Sequence, residues 1–305
     1  VYGDTGILRQ QYPSMKAWVD FIKSRSQNYL WTDNGYGDWY APGEKTPLPF
    51  IDECFFVYST QLLIHAATIL NNSNDILFYS EVLKKIKQAF AKQFGVIPQT
   101  QTACVLALQF DLLPDSLRQK TAEKLKVLIT ANNNHLATGF LGTPYLLHVL
   151  TQYGYMDLAY TLLLQQTYPS WLYPVRRGAT TTWERWDAIR PADSTLQETS
   201  FNHYAYGAVG DWLYRVVAGI DAIEPGYKKI KIAPHPGGGL TWAKASYECS
   251  YGKIVSQWKF KSNAFLMHVE IPAGTTATIY VPSQAPVEVK AGIFDFVNEN
   301  MNSPK

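Results

Sequence analysis

The chain has 305 residues, of which 47% are hydrophobic and 17% charged, with a formal net charge of +2. That composition describes a globular protein with a sizeable core and excludes a disordered one. The weak charge, with no Lys/Arg run to track phosphates, speaks against nucleic acid as a partner. No apolar run reaches the length of a membrane span. Cys54, Cys104 and Cys249 are far apart and form no Cys-x-x-Cys pair, so neither a zinc site nor a disulfide framework is indicated. Aromatic residues make up 14%, with 9 Trp and 20 Tyr, which suits sugar binding and equally a large helical core.

In chain order, helical periodicity predicts helices over 13–27, 50–72, 74–93, 100–112, 115–132, 144–153, 156–166 and 201–217. Pro13-Ser14 suits the first turn of one helix, Pro114-Asp115-Ser116 separates two others, and Gly154 ends another. Leu83, Ile86, Ala89 and Phe90 form an apolar stripe among lysines. Asp52-Glu53 reads as a cap for the helix that follows. Cys54 and Cys104 fall in apolar helical stretches and act as small core residues.

Two long loops interrupt the helices, at 28–49 and 168–200. Loops of that length inside a compact domain are usually functional or disordered, and their Trp and Tyr content argues against disorder. The first carries Gly35-Tyr36-Gly37-Asp38-Trp39, whose glycines let side chains come close to a ligand. The second carries Thr180-Thr181-Thr182-Trp183-Glu184-Arg185-Trp186-Asp187. Indole faces suit the C–H face of a sugar, and a carboxylate between them suits glycoside hydrolysis. The same residues also fit a structural loop, with Glu184 paired to Arg185 and both indoles in the core. Residues 200–220 read as a buried helix with Asn202 and His203 at its mouth. His203 fits either a helix-start histidine or a ligand contact, and Tyr145 and His135 are weaker pocket candidates.

After Pro225 the period changes to two. YKKIKIA, GKIVSQWKF, AFLMHVEIP and TTATIYVP read as strands bounded by Gly, Pro or Asn. The boundary is placed near Glu224-Pro225-Gly226, giving domains at 1–222 and 226–305.

The run TTTWERWD, then SFNHYAYGAVGDWLYRVVAGI and IAPHPGGGLT, resembles the bacterial α-L-rhamnosidases. Further blocks in family order are YGDTGILRQQYPSMKAWVDFI, GYGDWYAP, QTACVLALQFDLLP, HLATGFLGTPYLLHVL and YPSWLYPV, so the resemblance covers nearly the whole chain. It implies a mainly α fold, an incomplete (α/α)6 barrel followed by an all-β antiparallel sandwich. It implies an inverting glycoside hydrolase that releases terminal α-L-rhamnose without metal or cofactor. Glu184 is then the general base, and Trp39, Asp38, Trp183, His203 and Tyr145 contact substrate.

The family's general acid lies in a motif of the form Asp-Glu-Arg-x-Gly-Trp-Thr-Gly-Asp, which this sequence lacks. A closed barrel needs twelve helices, and about eight are read here. Both point to a C-terminal fragment whose partners are a rhamnose-containing glycan or glycoside and either the missing N-terminal half or a second copy. A non-catalytic carbohydrate-binding fragment and another (α/α)6 glycosidase stand as alternatives. Periplasmic, extracellular and cytoplasmic locations all remain open.

Overall fold

The computed structural model describes residues 2–33, 35–299 and 301. They fall into two compact units, a helical one over Thr5–Gly207 and a sheet-rich one built mainly from Ala208 onward.

The helical unit consists of α1 (Thr5–Arg25), α2 (Leu48–Ile69), α3 (Ser73–Phe94), α4 (Gln101–Gln109), α5 (Asp115–Ala131), α6 (Thr143–Gln152), α7 (Met156–Leu163) and the short α8 (Leu172–Arg176). The expected helices from 50 to 166 appear as α2–α7. Packing is between neighbours: α2 against α1 and α3, α4 against α5 and α6, and α6 against α7. The innermost helix is α4, in which every residue from Gln101 to Leu108 is buried. A helix apolar all round belongs in the interior. Thr100 caps it, its side chain accepting from the Ala103 N–H at 3.2 Å. Cys54 and Cys104 are fully buried core residues, as their helical stretches suggested.

Pro13 does not open a helix; it lies inside α1, which begins at Thr5. The ring removes one backbone hydrogen bond and would ordinarily break or kink a helix. Tertiary bonds on both sides of it hold α1 to α3: Tyr12 Oη and Lys16 Nζ each reach Asp75 at 2.7 Å, and Tyr79 Oη reaches Asp20 at 2.7 Å.

The helix expected over 201–217 is broken into pieces. A 3₁₀ turn (Ala205–Ala208) leads into one α-turn, α9 (Val209–Trp212), and then a π-turn (Leu213–Val217). The stretch stops at Gly219, where φ is +80° and a Cβ would come within 2.2 Å of the Pro234 nitrogen. Side chains of the sheet collect the carbonyls at its end. Trp258 Nε1 donates to Val217 O at 2.7 Å, and Ser256 Oγ to Ala218 O at 2.6 Å. These bonds tie the stretch to the sheet, and it belongs to the sheet-rich compact unit.

Six strands follow: β1 (Ile220–Ala222), β2 (Lys229–Ile232), β3 (Trp242–Cys249), β4 (Gly252–Lys261), β5 (Ala264–Ile279) and β6 (Val287–Asn298). They form a single sheet in the order β1-β2-β5-β4-β3, with β6 on β5. Three features differ from the all-antiparallel sandwich expected, the first being that the strands form one sheet rather than two packed ones. The β2–β5 pair is parallel. AFLMHVEIP and TTATIYVP, read as separate strands, are one strand, because β6 pairs with β5 on both sides of an irregularity between Ile271 and Thr276. Pro272 and Gly274 thus mark a bulge within a strand rather than a turn. Alternating residues Ile230, Ile232, Ile254, Trp258, Phe265, Met267 and Val269 supply the sheet unit's core.

Candidate active site

The loop after α7 is built around its aromatic residues. Trp183 is 5% exposed and packs with Tyr173 and Ala188 against Tyr168, Ile189 and Phe201. Its ring meets Phe201 edge-on at 5.2 Å. Trp186, 3% exposed, stacks on Tyr206 at 3.8 Å and meets Trp171 edge-on at 5.6 Å. Trp183, expected to contact substrate, thus has its indole packed among other side chains of the loop. A buried indole brings more stabilisation to this loop than any surface contact would, and its face is already covered.

Burying both indoles leaves Glu184, between them, turned outward. Two backbone bonds fix its position: Glu184 N–H donates to Ser200 O at 3.0 Å, and His203 N–H to Thr182 O at 2.8 Å. Its Oε2 accepts from the Ser200 N–H and the Thr199 hydroxyl, both at 2.9 Å. Among the described residues no hydrogen bond reaches Oε1. The Ser200 amide, then the Thr199 hydroxyl, hold this carboxyl below the usual glutamate range, with smaller help from His203 and Arg185. Arg185 does not pair with Glu184. Its guanidinium takes Asp187 through both oxygens, at 2.9 and 3.0 Å, and lies over the Tyr40 ring at 5.1 Å.

His203 is held from both sides. Its ring stacks on Phe140 at 5.1 Å and on Tyr204 at 5.0 Å. Its Nδ1 accepts from the Ala205 N–H at 3.3 Å, so Nε2 is the ring nitrogen left to donate. Phe140 also lines a cleft of about 350 Å³ with Tyr36, Trp39, Ile51, Asp52 and Phe55. Tyr36 is 89% and Trp39 51% exposed, so both present open ring surface. Glu184, His203, Phe140 and Trp39 are thus brought to one region of the helical unit.

Asp38 is held by several hydrogen bonds. Its side chain accepts from the Gly139 N–H at 2.7 Å, the Leu141 N–H at 2.7 Å, the Gly142 N–H at 3.3 Å and the Thr102 hydroxyl. With both oxygens taken, it pins the first loop to the turn before α6 and offers little to a substrate. Burial pushes its carboxyl up, and the four hydrogen bonds pull it part of the way back. Next to it, Phe140 N–H donates to Trp39 O at 3.0 Å, and a Cβ on Gly139 would sit 2.1 Å from that oxygen. Only glycine permits this approach, which sets Trp39 and Phe140 on the same cleft.

Tyr145 lies in a second aromatic cluster, edge-on to Phe110 at 5.3 Å, while Phe110 stacks on Tyr58 at 4.3 Å. Burial raises its hydroxyl to about 12. His135 is engaged by Asn132 O and the Thr167 hydroxyl. Among the described residues no hydrogen bond or ring contact joins either one directly to Glu184 or His203.

Sequence reasoning missed Phe140 and Asp52. Asp52 does not cap α2, which begins at Leu48; its Oδ2 accepts from the Gly35 N–H at 3.1 Å. Its neighbour Glu53 is 2% exposed and accepts from the Trp31 N–H at 2.7 Å. Burial raises Glu53 to about 7, with the Asp52 charge adding to the shift. The described residues hold no cluster of three or more His, Cys, Asp or Glu able to bind a metal ion. Among them no helix is long and apolar enough to cross a membrane.

Paired helices carrying an aromatic cleft beside a fixed carboxylate, followed by a sheet unit, have the architecture of helical-hairpin glycosidases. Residues 1–217 match the family described as bacterial alpha-L-rhamnosidase 6 hairpin glycosidase domain, and residues 219–293 match the bacterial alpha-L-rhamnosidase C-terminal domain. The chain belongs to the bacterial α-L-rhamnosidase family. It is 41% identical, over 95% of its length, to an α-L-rhamnosidase of Streptomyces avermitilis, and 37% identical, over 97%, to one of Formosa agariphila. It superposes with a TM-score of 0.93 and 38% identity, over 98% of its length, on the crystal structure of the Streptomyces avermitilis enzyme complexed with L-rhamnose. The α-L-rhamnosidase of Aspergillus terreus gives a TM-score of 0.92 at 34% identity over 97%. The chain spans only 28% and 34% of the two relatives' lengths, and 31% and 37% of the two solved chains.

Proposed function

We propose that this chain is the C-terminal part of an α-L-rhamnosidase that releases terminal α-L-rhamnose from glycosides or polysaccharides with inversion, and that Glu184 is its general base. The observation that carries this is the setting of Glu184. One oxygen is fixed by Ser200 and Thr199, the other is free, and the charge is held below the ordinary range beside His203. A base must be ionised and oriented at working pH, and this arrangement supplies both. In an inverting enzyme the base activates a water on the face opposite the leaving group, while an acid roughly 6.5–9.5 Å away protonates the leaving oxygen. His203, with Nε2 left to donate, and the open faces of Trp39 and Tyr36 would orient the sugar.

On this reading residues 1–222 contribute helices to an (α/α)6 barrel completed by the rest of a longer polypeptide, which also holds the acid. Residues 226–305 form its appended β domain. The ligand class follows from the Streptomyces avermitilis enzyme, whose structure contains L-rhamnose.

The test is to incubate an aryl α-L-rhamnoside with the 305-residue chain, alone and joined to the segment that completes the relatives' length, and to follow the product anomer by NMR. β-L-Rhamnose appearing first, and only with the added segment at a family-like rate, supports the reading. Retention of configuration refutes inversion. Full activity of the isolated chain on a natural rhamnoside places the acid within these residues.

A further inference from the structure

The cleft beside Trp39 is apolar apart from one charged side chain. Asp52 stands in its wall among Trp39, Ile51, Phe55 and Phe140. The fold brings this carboxylate close to the backbone of the first loop: a Cβ on Gly35 would sit 2.0 Å from Asp52 Oδ1. Oδ2 takes the Gly35 N–H, and among the described residues nothing donates to Oδ1. Burial holds the carboxyl above the ordinary aspartate value, which the Gly35 bond only partly offsets. A carboxylate offers about four acceptor positions, and of this one's only the position taken by the Gly35 N–H is filled among the described residues. A ligand that stacks on Trp39 and displaces water must bring donors of its own, or leave a charge desolvated and unpaired.

We propose that Asp52 is a specificity-determining residue of the sugar site, accepting hydrogen bonds from two adjacent ring hydroxyls of the sugar that stacks on Trp39. The two oxygens of a carboxylate match the spacing of a vicinal diol, and the surrounding rings match the sugar's C–H face. This inference rests on the reading of the cleft as a rhamnose site. It adds the group that tells a sugar bearing that diol from one lacking it. Asp52 lies on α2, a rigid element, which is where a discriminating contact is best placed.

The experiment titrates L-rhamnose and its three ring monodeoxy methyl glycosides into the 305-residue chain, followed by tryptophan fluorescence and ligand-observed NMR. Wild type, Asp52→Asn and Asp52→Ala are compared. Asp52→Asn keeps the size of the side chain and an acceptor for the Gly35 N–H, and thermal unfolding verifies that both variants fold. The wild type is expected to bind L-rhamnose and to disfavour one or two of the monodeoxy sugars by about tenfold or more. Both variants are expected to weaken L-rhamnose binding by about tenfold and to flatten that discrimination. Folded variants with wild-type affinity and unchanged discrimination overturn the role of Asp52 while the sugar site stands. A wild-type chain that binds no 6-deoxyhexose overturns the sugar-site reading and this inference with it.

Discussion

The two long loops of the helical unit solve the same problem in opposite ways. The first, between α1 and α2, is held by one buried and three half-buried carboxyl groups. Glu53 takes the Trp31 N–H, Asp52 the Gly35 N–H, Asp38 three N–H groups of the 139–142 turn, and Glu44 the Gln101 N–H at 2.7 Å. Its aromatic residues Tyr36 and Trp39 are left open. The second loop, from α7 to the 3₁₀ turn, is held by buried indoles, and the carboxylate of Glu184 is left open. One loop presents stacking surface and the other presents charge. A glycoside needs both, and neither loop supplies both.

The comparison is tested most sharply by removing the charge that the second loop exposes. Glu184→Gln keeps the acceptor for Ser200 N–H and Thr199, so the fold should be kept, with only the charge's share of stability at neutral pH lost. In the intact rhamnosidase its turnover should fall by about two to four orders of magnitude, with substrate affinity largely kept. Near-wild-type turnover would remove Glu184 from the mechanism. With Glu184 as the proposed base, its lowered carboxyl predicts an acid limb of the wild-type kcat/KM profile below the range of an ordinary glutamate.

The indoles separate structure from binding. Trp183→Ala should cost about 3–5 kcal/mol of stability, the usual range for emptying a core aromatic site. Trp39→Ala should stay within about 0.5 kcal/mol in stability, as exposed positions do, while weakening sugar binding. Thermal or denaturant unfolding beside an L-rhamnose titration reads both. The division between the loops fails if Trp183→Ala unfolds like wild type, or if Trp39→Ala is the more destabilised of the two.

Among the carboxylates of the first loop, Asp38 carries the most bonds. Asp38→Ala would leave the Gly139, Leu141 and Gly142 N–H groups without their acceptor, at about 2–3 kcal/mol. Because the same contacts set the Trp39–Phe140 approach, sugar binding should weaken together with stability. Denaturation midpoints and titrations that moved independently would return Asp38 to the role of a direct substrate contact.

How much of this was legible in the sequence depended on what each signal could report. Apolar periodicity located α2–α7 because those helices bury defined faces. It gave one helix over 201–217, since the switch to 3₁₀ and π geometry there is set by the stop at Gly219 and by Trp258 and Ser256 reaching back to the carbonyls. Pro13 was read by its local preference, which the long-range bonds to Asp75 and Asp20 override. Glu184, His203 and Trp39 stood out because they lie in distinctive blocks. That Trp183 turns inward and Trp39 outward is invisible in composition, because it is decided by which backbone each loop pairs with. Asp52 and Asp38 changed roles for a related reason. Their partners, Gly35 and the 139–142 turn, are far off along the chain, and no short-range spacing reports them.

The smallest expected effect concerns Glu53, the buried counterpart of Glu184. Its carboxyl is raised to about 7 from 4.5 by burial and by the neighbouring Asp52 charge. Between those values the unfolded chain has released this proton while the folded chain keeps it. The unfolded state therefore binds fewer protons, and stability falls as pH rises through that window. The contribution is fully present below about 4.5 and lost above about 7. Glu53→Gln keeps an acceptor for the Trp31 N–H and removes the titration. It should match wild type near pH 4.5 and be more stable near pH 8 by about 1–2 kcal/mol, less than the full shift implies because the group is coupled to Asp52. Glu184 has the opposite sign, since its lowered carboxyl adds stability at neutral pH that is lost on acidification. Unfolding midpoints of Glu53→Gln and Glu184→Gln across pH 4–8 should therefore approach wild type at the acid end and part from it toward pH 8 in opposite directions, Glu53→Gln upward and Glu184→Gln downward. If the Glu53 variant tracked wild type throughout, Glu53 would be ionised in the folded protein, and the first loop would rest on a charge rather than on a neutral buried acid.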